Sequence, residues 1–138
     1  MRLFDIKGRL VNKNTSSYLI DWDKKSRSII QFKTKQFLKT FWRNHIVFEE
    51  FPVFGSLLKV DIFNATLKIA IEVDGKQHNE FNKFFHNNSP AKYLASIKND
   101  IKKANWLEKN NYKLIQINED EVKLLSKQFF IDKFKFIL

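Results

Sequence analysis

The sequence predicts a small mixed α/β domain, an α+β arrangement with a central mixed sheet of about four strands flanked by helices. Three observations predict it. The order of periodic segments is helix, three strands, helix, strand, helix. The last strand follows a long helical segment, so it returns beside the others by a crossover. The chain has 138 residues, is 43% hydrophobic and carries fifteen Phe and three Trp, enough for one real core.

The elements follow in order. Residues 1–27 form a basic, polar N-terminal extension with two β-like runs, at Leu3–Ile6 and Tyr18–Asp21, around the turn-like stretch NKNTSS. Ser28 with Gln31 is a capping-box pair and starts a helix that reaches about Trp42. Its apolar stripe is Ile30, Phe37, Leu38 and Phe41, and Lys33, Lys35, Lys39 and Arg43 cover the other side. Three strand-like segments come next, at about 46–51, 57–63 and 67–73. In the second, Leu58, Val60 and Ile62 share a face, and Lys59 and Asp61 share the other. Asn64-Ala65-Thr66 is short enough for a hairpin turn between the second and third. A turn centred on Ala65 pairs Asp61 near Lys68–Ile69 and leaves Glu72 about four residues further on.

After the polar and aromatic stretch NEFNKFFHNNS, Ser89 and Pro90 open a second helix that runs to about Lys109. Leu94, Ile97, Ile101 and Ala104 are its inward positions, and Asn110-Asn111 stops it. Tyr112–Ile117 is the fourth strand of the group. Asn118 with Glu121 caps a helical segment over 119–138. The whole chain is expected to be one domain, with its core over 28–118.

Charge narrows the partner. Net charge is +10, and residues 1–45 carry eleven Lys/Arg against three Asp, whereas residues 46–138 carry fourteen Lys against twelve Asp/Glu. The basic end suits a polyanion, nucleic acid above all, and a solvated Lys-rich surface is the plain alternative. There is no cysteine, which excludes disulfides, thiolate metal sites and a cysteine nucleophile. No apolar run approaches a bilayer span and no signal-peptide pattern is present, so a cytoplasmic, non-secreted protein with no membrane role is expected.

The chemistry concentrates in IAIEVDGKQH, Ile69–His78. Glu72 and Asp74 end an apolar strand, Gly75 turns the chain, and Lys76 and His78 follow. Asp61 ends the apolar part of the preceding strand on the corresponding face. Carboxylates converging from adjacent strands repel unless a hard divalent cation lies between them, and Mg²⁺ takes one or two carboxylates plus water. Such an ion lowers the pKa of bound water and polarises a phosphoryl group. The bland reading is a set of exposed strand-end charges, with Asp61 paired to Lys59 or Lys68.

Asp61, the phrase IEVDGKQH around Glu72, Asp100 on the following helix and the strand YKLIQI together resemble the PD-(D/E)xK nuclease superfamily. They are similar in particular to the Vsr-like branch of small phage and bacterial endonucleases. The resemblance covers about residues 28–118 and implies a restriction-endonuclease-like core and metal-dependent hydrolysis of a DNA phosphodiester, with Mg²⁺ as cofactor and Mn²⁺ as its substitute. It assigns Asp61 and Glu72, with Asp74, to the metal. Asp74 stands where the superfamily has its lysine, so Lys76, or His78 as base or water-positioning group, takes that role. Asp100 becomes the further acid, and Glu50, favoured over Glu49, replaces an acid that Gln31 does not supply. Lys24, Lys25, Arg27, Lys35, Lys102 and Lys103 are the expected DNA contacts. His86, Phe81, Phe84 and Phe85 are lesser candidates for the DNA cleft, and His45 is expected to be structural. The expected partner is double-stranded or branched DNA, with a possible homodimer. The activities that fit are nicking or homing, repair, and junction resolution. A non-catalytic DNA-binding module that keeps the fold, and an RNA-directed nuclease, are the alternatives.

Overall fold

The computed structural model describes residues 1–75, 90–135 and 138. Lys76, His78, Phe81, Phe84, Phe85, His86 and Ser89 lie outside the described residues. Among the described residues the elements are β1 (Arg2–Phe4), β2 (Leu10–Asn12), α1 (Ile29–Trp42), β3 (Val47–Pro52), β4 (Lys59–Asn64), β5 (Ile69–Asp74), α2 (Pro90–Lys109), β6 (Lys113–Asn118), α3 (Glu119–Val122) and α4 (Lys127–Phe134). A short 3-10 turn occupies Ser16–Tyr18. The mixed α/β class, with a four-stranded mixed sheet flanked by helices, is the expected one. A four-stranded mixed sheet of order β3-β4-β5-β6 is antiparallel across its first two junctions and parallel between β5 and β6.

Helices cover both faces. On one face, Leu38 and Trp42 of α1 pack with Val122 and Phe130 against Val47, Ile62, Ile69, Ile71, Val73, Ile115 and Ile117. On the other, Trp106 and Leu107 of α2 pack with Leu3 against Phe48, Phe51, Val60, Phe63 and Ala70. Aromatic rings fill this second layer: Phe63 stacks on Phe51 at 4.3 Å and on Tyr112 at 4.2 Å between centroids.

The basic N-terminal stretch is no loose extension. β1 and β2 pair antiparallel. Trp106 Nε1 donates to the Phe4 carbonyl at 2.6 Å, and Phe4 N–H donates to Asn110 Oδ1 at 2.8 Å. The second β-like run is also corrected, because Tyr18 lies in the 3-10 turn and only Leu19 bridges to Phe48.

The helix signals act as read at the caps and differ along the faces. Ser28 Oγ accepts from Gln31 N–H, but the Gln31 side chain turns to strand β3 instead of closing the capping box. Asn118 and Glu121 do form the full reciprocal box. Asn111 adopts φ 63° just beyond α2, as a helix stop does. Leu94, Ile97 and Ile101 are 56%, 37% and 54% exposed, so they do not face inward. α2 buries only Trp106 and Leu107. α1 buries Gln31, Thr34 and Lys35 together with Leu38 and Trp42, so its inner face is polar at one end. Lys35, expected on the surface and against DNA, has no exposed area and is withdrawn as a direct DNA contact.

Candidate metal and phosphate site

The site is built where the sheet opens. β4 and β5 pair at Asn64–Ile69, Phe63–Ala70 and Ile62–Ile71, and the ladder ends there. β5 and β6 continue paired to Asp74–Asn118. β4 therefore parts from β5 one rung beyond Ile62–Ile71, and that rung is Asp61 with Glu72. A tight turn at Ala65 had set Asp61 near Ile69. The real connection spans Ala65–Lys68, with Lys68 at φ 57° and Asn64 Oδ1 accepting from Leu67 N–H at 2.9 Å. The longer loop moves the register and brings the two acids together, which pairing on a short turn did not.

Each carboxylate fills the opening by taking a backbone donor from the other strand. Asp61 N–H donates to Glu72 Oε2 at 3.1 Å, and Val73 N–H donates to Asp61 Oδ2 at 2.8 Å. These bonds replace the missing ladder, as buried backbone donors require. Asp61 and Glu72 are only 5% and 6% exposed. Burial pushes the Asp61 carboxyl up to about 8, with the Glu72 charge as the next cause and the Val73 N–H opposing.

Among the described residues two cations attend the pair. Lys103 Nζ lies 2.6 Å from Glu72 Oε1, and an Arg27 guanidinium nitrogen lies 3.7 Å from Asp61 Oδ1. Burial works against the charge on Lys103, but Glu72, Asp61 and Asp100 together outweigh it and hold its pKa above the usual value. Lys103 was expected on DNA phosphate. Its position is instead that of a lysine beside the strand-end glutamate, reached from a helix and not from the strand. Asp100 is exposed, one turn before Lys103 on α2, and its charge helps to raise the Lys103 pKa. Lys102 is exposed and lines a separate cleft with Ile6, Asn105, Trp106 and Lys109.

Glu50 joins the acids. It has φ 52°, a strained conformation for a residue with a side chain. The β3–β4 ladder pairs Glu49 with Ile62 and Phe51 with Val60 and skips Glu50 and Asp61. Phe48 and Phe51 consequently lie in one core layer, as do Phe63 and Val60, and Val60 parts from Ile62 against simple alternation. The kink lets both glutamates reach Gln31, whose Nε2 is 2.9 Å from Glu49 Oε2 and 3.1 Å from Glu50 Oε1. Glu50 lies 3.9 Å from Arg27 Nε, and its charge helps to raise Asp61. Glu49 pairs at 2.9 Å with the buried Lys35. Glu50 is thus the glutamate at the fork, and Glu49 belongs to a buried network with Lys35, Gln31 and Ser26.

Asp74 lies two residues beyond Glu72 on β5, in register with Asn118, and is partly exposed. Among the described residues no three His, Cys, Asp or Glu side chains are grouped as a ready metal cage. The two buried acids at the fork match the donor set that Mg²⁺ takes, one or two carboxylates with water completing the shell. His45, expected to be structural, has its Nδ1 3.1 Å from Asn64 Nδ2 and its ring tilted against Trp42. Sequence reasoning missed Gln31, Ser26 and Glu49 as partners of the site. The signal for Gln31 was the helical spacing of 31, 34 and 35 with 38 and 42; Ser26 and Glu49, outside α1, had none.

Lys24, Lys25 and Arg27 are exposed on the loop before α1 and border a cleft of about 350 Å³ together with Tyr18, Ser26 and Glu50. They share this cleft with Glu50 of the fork.

No protein-family model matches the chain. No solved structure matches it either. The chain is similar to a curated viral protein, the uncharacterized protein 033L of invertebrate iridescent virus 3, at 35% identity over 66 residues. That stretch is 48% of this chain and 34% of the viral protein, so the match spans about a third of the relative's length.

Proposed function

We propose that the protein is a metal-dependent endonuclease of the restriction-endonuclease-like kind, acting on DNA. One observation carries the reading: Asp61 and Glu72, from adjacent strands, meet buried where the sheet parts, with Lys103 2.6 Å from Glu72. Placing two acids there costs stability, in line with the raised Asp61 pKa, and acids perturbed in this way cluster at functional sites. The core with helices on both faces and the basic loop beside the fork agree with it.

In this reading Asp61 and Glu72 hold Mg²⁺ or Mn²⁺, and Glu50 stands by as a further acid. When bound, the ion supplies water activation and charge neutralisation at a phosphate. Asp61 would have to be ionised to hold the ion, with its proton passing to solvent. Lys103 fixes the Glu72 carboxylate and offers its ammonium to charge developing on the phosphate. This supplies from α2 the lysine that Asp74 displaces from the strand. Arg27, Lys24 and Lys25 bind the nucleic-acid backbone.

The test is cleavage of supercoiled plasmid and of a branched-DNA and RNA panel, with Mg²⁺, Mn²⁺ or EDTA. The expected result is metal-dependent nicking, lowered at least about 10³-fold in Glu72→Gln, since the ion supplies several kcal/mol of transition-state stabilisation. The second reading, a DNA-binding module that keeps the fold without cleaving, is favoured by Lys103 and Arg27 standing against both acids. Binding without cleavage of any substrate under either metal would select it.

A further inference from the structure

Arg27 sits between two clefts. It borders the one of about 350 Å³ lined by Lys24, Lys25 and Ser26, and another of about 360 Å³ lined by Ser28, Ile30, Val73 and Gly75. The loop that carries it is tied down from beneath. Lys35 Nζ donates to the Lys24 carbonyl at 2.5 Å, and Ser26 Oγ donates to Glu49 Oε2 at 2.5 Å. Gln36 Nε2 donates to the Trp22 carbonyl at 2.5 Å, and Lys39 pairs with Asp23 at 2.6 Å. The backbone is fixed while the Arg27 side chain stays 73% exposed.

The two cations at the fork are held differently. Lys103 is 20% exposed and meets Glu72 at hydrogen-bond distance. Arg27 stands 3.7 Å from Asp61 and 3.9 Å from Glu50, at the outer limit of ion pairing. A divalent ion on Asp61 would compete with the loose partner for the same oxygens. Once released, a guanidinium is the group best shaped to take two phosphate oxygens.

We propose that Arg27 is the resident partner of the Asp61 and Glu50 carboxyl oxygens, that a divalent cation displaces it, and that the freed guanidinium then binds a phosphate of a DNA strand lying across both clefts. The metal-binding half stands on the geometry, and the phosphate half rests on the nuclease reading of the same site.

Two measurements test it. In Mn²⁺ titrations of the DNA-free protein, Arg27→Ala binds the ion about fivefold more tightly, the gain expected from removing one nearby competing charge. Lys33→Ala removes an equal charge from the exposed side of α1 and changes affinity less than about twofold. Binding of a labelled DNA duplex is then compared in EDTA and in Ca²⁺. The loss caused by Arg27→Ala is larger in Ca²⁺, and the salt slope there falls by about one unit. Unchanged Mn²⁺ affinity in Arg27→Ala, or an equal DNA-binding loss with and without Ca²⁺, overturns the proposal. The two readings fail separately. A wild type that shows these couplings but cuts nothing loses the nuclease reading alone. A cleaving wild type without the couplings loses this inference alone.

Discussion

Asp61→Asn is expected to yield a more stable and inactive protein. The buried Asp61 carboxyl has its pKa pushed up to about 8, because burial and the Glu72 charge both oppose ionisation. Between the ordinary carboxylate value of 3.8 and about 8, the folded protein keeps a proton that the unfolded chain has released. Stability therefore falls as pH rises through that window. Below the window both states are protonated and the residue contributes no pH dependence. Asparagine mimics the neutral acid and keeps an oxygen for Val73 N–H. The variant should gain on the order of 1–2 kcal/mol at neutral pH, a Tm rise of roughly 3–8 °C, with a flatter slope to high pH. Urea unfolding across that range checks it. Equal slopes in the two proteins would mean that Asp61 is ionised in the fold at little cost. Cleavage, in contrast, should drop by at least about 10³-fold, because the amide is a poor ligand for a hard cation. Gain of stability with loss of activity is the mark of a strained site.

Lys103→Met should cut cleavage by roughly 10²–10³-fold while leaving DNA affinity near that of the wild type. Methionine keeps much of the packing of the lysine stem on α2 and removes only the charge. Glu72 then lacks the ammonium at 2.6 Å, and Asp61 keeps Arg27 but loses the Lys103 charge beside it. The metal-free variant should be destabilised, since a buried acid without its partner is costly. Added Mg²⁺ should restore more stability to it than to the wild type. A surface phosphate contact, the role first expected of Lys103, predicts the reverse: weaker binding, a smaller salt slope and near-normal turnover on saturating DNA. Unchanged cleavage would return the lysine role to Lys76 or His78.

The two acids were legible because each interrupts an apolar strand, and Ser28, Asn118 and Glu121 announced their caps. Their meeting was not legible. It depends on the backbone at Lys68, where φ 57° lengthens the connection and resets the pairing. The sequence shows a short polar turn there and no glycine. Lys103 was read as a surface charge because α2 was aligned by its aliphatic residues. Those stay exposed, and Trp106 and Leu107 set the helix's orientation instead. Lys35 failed for the same reason: hydrophobicity assigns a lysine outward, whereas its partner Glu49 comes from a kinked strand 14 residues on. The kink at Glu50 carries no local signal at all, yet it gathers Glu50, Gln31 and Arg27 at the fork. In each case the helix or strand was readable from neighbouring residues, and the missed contact was set by backbone geometry elsewhere.

The central claim is that Asp61 and Glu72 jointly hold a divalent cation. The most direct test is calorimetric titration of Mn²⁺ and Mg²⁺ into the wild type, Asp61→Asn and Glu72→Gln, repeated in buffers of different ionisation enthalpy near neutral pH. The account predicts one ion bound by the wild type with release of a proton, because ligation requires the ionised Asp61. It predicts loss of most of that affinity in both variants. Cation binding of wild-type strength in either variant, or binding without proton release, would contradict it.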